Sequence, residues 1–297
     1  MRALQPRCVV QPRCHAPPPP PPPPPLRASR RNLLAAAVAA PVLVSRRARA
    51  VEADPSGAEF YQKWPYVQPS DILPYLDSHS TAGDAASVLA ALESWSTHYP
   101  MYTLGSEKGA LLESVVAAAA PRAALEVGTL FGYSAVRTAR ALPRGARLVC
   151  IEASPAHADV ARAVLARAGV ADVASVITGL AAEVLPEAAR RLGPGGADLI
   201  FLDHCKECYL PDLRRMEDMG LLAPGATLVA DNVLVPGAPD YLAYVATGAG
   251  RYETRLLDAP FEYTQPWREG AGAQPPPRDA LSVSRRLPPP PPAADAA

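Results

Sequence analysis

From Ala123 to Asp231 short apolar runs alternate with stretches of helical periodicity, and that alternation limits the chain to very few folds. Strands are expected at Ala123 to Val127, Arg147 to Glu152, Ala174 to Thr178, Leu199 to Asp203 and Ala226 to Asp231. Between them, helices are expected at Tyr133 to Ala141, Pro155 to Ala168, Ala181 to Leu192 and Tyr209 to Met219, the second opened by Ser154 as cap and Pro155 in its first turn. Parallel strands need a crossover, and a helix is the usual one, so repeated strand–helix units imply a parallel sheet covered on both faces. Upstream, Val88, Leu89, Leu92 and Trp95 form a helical stripe within Gly83 to Tyr99. A further helix near Ser106 has Glu107 and Lys108 in its first turn and Leu111, Leu112, Val115 and Val116 facing inward. Downstream lie a helix at Pro239 to Thr247, a sixth strand at Tyr252 to Leu257 and a seventh near Ala280 to Arg286.

The two ends do not belong to this pattern. Residues 1–51 hold nine arginines and no acid, leaving 20 basic against 29 acidic groups for the remainder, which argues against a nucleic-acid footprint. Nine consecutive prolines, Pro17 to Pro25, favour an extended segment without a core. Then come Arg30-Arg31, a short apolar stretch to Val44 broken by Pro41, and Ala48 and Ala50, the layout of a cleaved twin-arginine signal behind an organelle transit peptide. The expected organisation is a leader at 1–50, a linker at 51–70, a catalytic domain at 71–287 and a disordered tail at 288–297. The leader points to a chloroplast, with the thylakoid lumen as destination; mitochondrial, secreted and cytoplasmic locations are the alternatives. The apolar stretch is too short for a stable membrane span. Cys150, Cys205 and Cys208, the cysteines outside the leader, do not make a disulfide framework.

Ligands of open α/β sheets sit beyond the carboxyl ends of the strands, so the residues there carry the chemistry. Strand one ends in Glu126-Val127-Gly128-Thr129-Leu130-Phe131-Gly132-Tyr133-Ser134. Gly128 and Gly132 let backbone approach a ligand, and a helix starting at Tyr133 offers free amides and the Ser134 hydroxyl to a carboxylate. Glu126 is placed to meet an ammonium group or to orient the loop, and Glu152, closing strand two, to accept hydrogen bonds from a ribose. The spacing is not that of a pyrophosphate-binding loop. A ligand with a ribose, a carboxylate and an ammonium but no pyrophosphate is S-adenosylmethionine; the bland reading is turn glycines and solvated acids.

Strands four and five end in Asp203 and in Asp231-Asn232. Two carboxylates and an amide oxygen make a hard-oxygen site suited to Mg²⁺, although Asp-Asn before Pro236-Gly237 also reads as a simple turn. Beside them is Lys206, one of three lysines (with Lys63 and Lys108) among 29 basic residues. Arginine keeps its proton at neutral pH whereas a lysine among other cations can give it up, so this scarcity marks Lys206 as a candidate base; the bland reading is codon drift on a solvated loop.

Glu126 to Arg137, Phe201 to Leu210 and Ala230 to Ala243 resemble the catechol O-methyltransferase family, with matched spacing over most of Asp71 to Tyr263. The resemblance implies an α/β, Rossmann-like class I methyltransferase fold, a seven-stranded mostly parallel sheet with the last strand antiparallel. It implies Asp203, Asp231 and Asn232 as Mg²⁺ ligands, Lys206 as general base, and Glu262, Asn232, Pro236 and Cys205 around the substrate. It makes Glu126, Gly128, Gly132, Tyr133, Ser134, Glu152, Asp203 and His204 the cofactor residues. The expected activity is Mg²⁺-dependent methyl transfer from S-adenosylmethionine to one hydroxyl of a small catechol-type diol, by a monomer. A related enzyme of hydroxycinnamoyl or flavonoid diols, or a non-catalytic interaction protein, are the alternatives.

Several positions depart from the family. Cys205 stands where the family has tryptophan, Ala181 and Ala182 replace a serine and a glutamine near the adenine, and the Tyr99 to Met101 region is shorter by one residue. Cys205-Lys206-Glu207-Cys208 also raises a redox pair bracketing the base, against the bland reading of two unrelated thiols. His79, His98 and His157 read as surface or helix-end residues, and Trp64, Trp95 and Trp267 as packing or lid residues.

Overall fold

The computed structural model describes residues 68–99, 101–247, 251–262 and 277–288. The leader, the linker up to residue 67, the tail from 289, the His98 side chain, Trp64 and Trp267 lie outside the described residues. The chain opens with a single turn, Pro69–Asp71, and helix α1, Ile72–His79. Nothing in the sequence pattern marked α1, because only Ile72 and Leu76 of its eight residues are buried and Pro74 sits in its first turn. Helix α2, Ala85–His98, starts at Asp84, whose carboxylate accepts the Ala86 and Ser87 amides at 2.9 and 3.1 Å, a cap worth about 1 kcal/mol. Its expected stripe of Val88, Leu89, Leu92 and Trp95 is buried. Helix α3, Gly105–Ala119, buries Leu112, Val115 and Val116 as its periodicity requires, and also Lys108.

The alternating part then runs β1 Ala123–Val127, α4 Tyr133–Ala141, β2 Arg147–Glu152, α5 Pro155–Arg167, β3 Ala174–Thr178, α6 Ala181–Leu192 and β4 Ala197–Leu202. It continues with α7 Tyr209–Asp218, β5 Leu222–Ala230, α8 Pro239–Thr247, β6 Tyr252–Pro260 and β7 Arg278–Arg286. β4 and β5 begin two and four residues earlier than expected, and β6 ends three residues later. In β5 the extra length contains Pro224-Gly225, where the register against β4 shifts, so the apolar run that defines the strand starts only at Ala226.

The sheet order is β3-β2-β1-β4-β5-β7-β6, with β7 antiparallel to both neighbours and the remaining pairings parallel. Side chains alternate across it. Ala124, Leu148, Cys150, Leu199 and Phe201 pack with α1 to α5 on one face, while Leu125, Val127, Val149, Ile200 and Leu202 pack with α6, α7 and α8 on the other. The order in which strands are added reverses between β1 and β4, which pair directly and in parallel, so the crevice of the fold opens where these two strands end. Because β7 is inverted, its start and the end of β6 lie at that same edge, beside the end of β5.

Gly128 closes the switch point. At φ +91° a Cβ there would lie 2.4 Å from the Asp203 carbonyl oxygen, while the Asp203 amide donates to the Val127 carbonyl at 2.8 Å. Only a glycine lets the two loops run side by side. Gly128→Ala should therefore cost roughly 3 kcal/mol in urea denaturation, and a cost below about 1 kcal/mol would show that the loops have slack.

Candidate active site

Glu126 shares the α4-facing side of β1 with Ala124, so its carboxylate points at the start of α4. It is fully buried, accepts the Ser134 hydroxyl at 3.1 Å on Oε1 and has no partner on Oε2. Burial is the main force on it and Asp203 adds to the effect, so the Ser134 hydrogen bond does not prevent its pKa from being pushed up to about 8. Glu152, at the end of β2, accepts the Leu130 and Thr129 amides at 2.7 and 3.2 Å and the Ser154 amide at 2.9 Å. The loop after β1 is thus folded around the Glu152 carboxylate. Gly132, at φ +84°, turns the chain into α4.

Tyr133 points elsewhere. Its hydroxyl donates to Glu93 at 2.6 Å and accepts from Arg137 Nε at 2.9 Å, and Arg137 also reaches Glu93 and Glu113. The phenol ties α4 to α2, and Arg137 extends the link to Glu113 of α3, which leaves only the Tyr133 backbone at the mouth of the loop. His157 is a helix-end residue, at the start of α5, but it is buried there and not on the surface, with Nδ1 3.6 Å from Glu152 Oε1; its amide donates to the Ser154 cap.

After β4, Asp203 is half-buried and its Oδ1 accepts Lys206 Nζ at 2.9 Å. Lys206 also donates to the Tyr209 hydroxyl at 2.7 Å, which in turn donates to the Asp231 carbonyl at 3.0 Å. The candidate base is therefore held against both strand ends at once. His204 Nε2 lies 2.9 Å from Asp212 and its Nδ1 is buried without a partner, so Asp212 selects the tautomer with a proton on Nε2. Cys205 donates its thiol to Glu207 at 3.2 Å, and neither Cys205 nor Cys208 is in a disulfide.

The end of β5 is the most polar interior in the structure. Asp231 Oδ1 accepts Lys108 Nζ at 2.7 Å, whereas Oδ2 is buried and unpartnered. Asn232 takes the left-handed conformation at φ 55°, which asparagine tolerates, and its amide nitrogen donates to Glu262 at 2.8 Å and Asp279 at 3.0 Å. With Nδ2 committed to two carboxylates, its carbonyl oxygen faces away from them. Lys108 also meets Glu262 and Asp279, each at 2.5 Å. Asp279 Oδ1 accepts the Leu234 and Val235 amides at 3.2 and 3.1 Å, which fixes the turn that carries the exposed Pro236.

The charges follow from crowding. Burial raises Asp231 well above the usual carboxylate range, and Asp203 and Glu262 outweigh the lowering by Lys108. Burial raises Glu262 as well, in spite of Lys108. Burial alone would raise Asp279, but its hydrogen bond and charge contact with Lys108 hold it below that range. Lys108 itself stays above the usual lysine range because Asp231 and Glu262 outweigh its burial.

Lys108 and Asp279 were not among the site residues expected from sequence. The lysine scarcity that singled out Lys206 applied equally to Lys108. Asp279 had the weaker signal of an acid immediately before the alternating segment Ala280 to Arg286. Among the described residues no group of three or more histidine, cysteine, aspartate or glutamate side chains is disposed to share a metal ion, and no helix is long and apolar enough to cross a membrane. The expected ligand set has two acids and one amide. Its available oxygens are the unpartnered Asp231 Oδ2, the Asn232 carbonyl and the Asp203 carboxylate.

The raised Glu126 sets a pH dependence. Its folded value near 8 lies above the ordinary 4.5, so its contribution to stability is fully present below pH 4.5 and is lost as pH rises through 8. Without ligands, the wild type should lose more stability between pH 5 and pH 8 than Glu126→Gln, as read from urea midpoints. Parallel pH profiles for the two would refute the assignment.

An O-methyltransferase family model matches residues 78–240. Catechol O-methyltransferase B of Danio rerio is 42% identical over 200 residues, 67% of this chain and 75% of that protein. Catechol O-methyltransferase of Bos taurus is 39% identical over 196 residues, 65% and 71% of the two chains. Among solved structures, the O-methyltransferase from Bacillus cereus in complex with SAH superposes with a TM-score of 0.54 at 24% identity, over 78% of this chain and 97% of that one, a likeness of fold. The family model and the identity to these relatives agree, and the chain belongs to the O-methyltransferase family.

Proposed function

We propose that the protein transfers the methyl group of S-adenosylmethionine to one hydroxyl of a catechol-type diol, with Mg²⁺ held at the ends of β4 and β5. The observation that carries this reading is a charge imbalance. Asp203, Asp231, Glu262 and Asp279 stand against two cations, Lys108 and Lys206, and one buried oxygen, Asp231 Oδ2, has no partner. A buried polar oxygen without a partner is costly, and a cluster short of two positive charges suits a hard dication. Asp203, Asp231 Oδ2 and the Asn232 carbonyl would hold it, leaving room for a diol. When bound, Mg²⁺ supplies positive charge that makes a diol hydroxyl more acidic.

The chain's own residues do the remainder. Lys206 Nζ takes the proton, and Tyr209 and Asp203 hold it in place to do so. Glu262, fixed by Lys108 and Asn232, accepts the second hydroxyl. Glu126 and Ser134 receive the ammonium and carboxylate of the cofactor at the start of α4, and Glu152 its ribose. A cationic ligand beside Glu126 favours its ionised form, so cofactor binding releases a proton near neutral pH. Bringing two reactants together in line can lower a barrier by ~7 kcal/mol or more, which makes this positioning the largest contribution. With Cys205 in place of a broad aromatic wall, the diol slot accepts bulkier substrates than catechol itself.

Methyl transfer from labelled cofactor to a panel of diols tests this. Turnover should require Mg²⁺, stop in EDTA and return with added metal. Lys206→Met should lower kcat roughly 10²–10⁴-fold, and Glu152→Ala should raise the cofactor KM. No turnover on any diol, with cofactor binding indifferent to Glu152→Ala, would overturn the proposal.

A further inference from the structure

Lys108 has no step of its own in the proposed reaction, yet it directly contacts two residues that do, Asp231 and Glu262. Its side chain is 1% exposed, and its ammonium donates hydrogen bonds to Asp231 Oδ1 and Asp279 Oδ2 and forms an ion pair with Glu262 Oε2 at 2.5 Å. The acids come from separate segments, 123 and 171 residues away for Asp231 and Asp279, and Asp279 passes the restraint to Asn232, Leu234 and Val235. Every residue expected to ligate at the end of β5 is bonded to Lys108 or to an acid that Lys108 holds.

Two consequences follow from electrostatics and from counting oxygens. Three buried carboxylates cannot stay together without a counter-charge, so a site lacking Lys108 would need a bound cation to keep its shape. Lys108 also occupies Oδ1 of Asp231, so Oδ2 is the only oxygen this carboxylate can offer. A carboxylate with one open oxygen suits Mg²⁺, which takes few carboxylate ligands in strict octahedral geometry. Ca²⁺ takes more oxygens and accepts bidentate carboxylates.

We infer that Lys108 is a positioning residue that serves as the built-in counter-cation of the site, keeping it preformed without metal and setting its preference for Mg²⁺ over Ca²⁺. This rests on the Mg²⁺ site proposed above. The conserved charge of Lys108→Arg is not equivalent, because a planar guanidinium cannot direct its donors at three carboxylates as an ammonium does.

The test is metal titration by calorimetry, with thermal unfolding in EDTA, Mg²⁺ or Ca²⁺, on the wild type and Lys108→Met. The wild type should gain only a few degrees in Mg²⁺ over EDTA, the increment that mass action gives to a site already formed. Lys108→Met should lose roughly 10 °C in EDTA and recover part of it with either metal. Both metals should bind the variant more tightly, with Ca²⁺ gaining more, so that the preference moves roughly tenfold toward Ca²⁺. A stability deficit indifferent to metal, with an unchanged Mg²⁺ to Ca²⁺ preference, would reduce Lys108 to packing and overturn the inference alone. A wild type that binds no Mg²⁺ would overturn it together with the metal site. Should Lys108→Met be insoluble, Lys108→Met/Asp279→Asn, which removes one acid with the lysine, should fold and show the same change of preference; its failure to do either also overturns the inference.

Discussion

The ammonium of Lys108 is the contact on which the polar half of this structure depends. It reaches in from the first turn of α3 and is shared by Asp231 after β5, Glu262 after β6 and Asp279 at the start of β7. Those three acids can meet only because β7 is antiparallel, which brings the beginning of one strand and the ends of two others to one edge of the sheet. The inversion of the last strand is therefore part of the site as well as of the fold. Breaking such a buried network by removing one partner typically costs 3–5 kcal/mol, a large part of a domain's whole stability.

A second constraint acts at the crossing between β1 and β4. The glycine at 128 is present first for the backbone of Asp203, which would collide with any side chain there. A ligand benefits from the same close approach, but the packing requirement exists without it. Glu152 behaves similarly, since its carboxylate already organises the amides of Thr129 and Leu130. In both cases one residue supports the loop and stands at the mouth of the crevice, so the structural and ligand-binding readings of these positions are not alternatives.

What could be read from the sequence divides along a physical line. β1, β2 and β3 and helices α4 and α6 have the bounds their patterns suggested, because a short apolar run or a helical stripe is local information. The acids after β1, β2, β4 and β5 were equally legible, since strand ends of a parallel sheet are where such groups gather. Lys108 and Asp279 were not, because their meaning lies in partners more than a hundred residues away. In the first turn of a helix, Lys108 reads as a solvated charge. α1 escaped notice for a different reason: two buried residues in eight make no stripe. Tyr133 shows that a residue can stand at the expected position with its side chain directed elsewhere, here to Glu93 and Arg137.

The two lysines of the site separate by the number of acids each one faces. Lys108, with a side chain 1% exposed, meets three carboxylates, and its positive charge is required by all of them. Lys206, 9% exposed, meets one carboxylate and a phenol, and it borders the half-open Asp203. If Lys108 gave up its proton, three buried acids would be left facing one another. A chain otherwise built on arginine thus uses lysine here in two ways. One exploits the compact ammonium that fits between three carboxylates, and the other, in the proposed mechanism, the proton that arginine does not release. Tyr209 joins the two parts, since its hydroxyl receives Lys206 and donates to the backbone of Asp231, whose side chain is held by Lys108. A shift of the buried cation would therefore be felt at Lys206 through a single phenol and one residue's backbone.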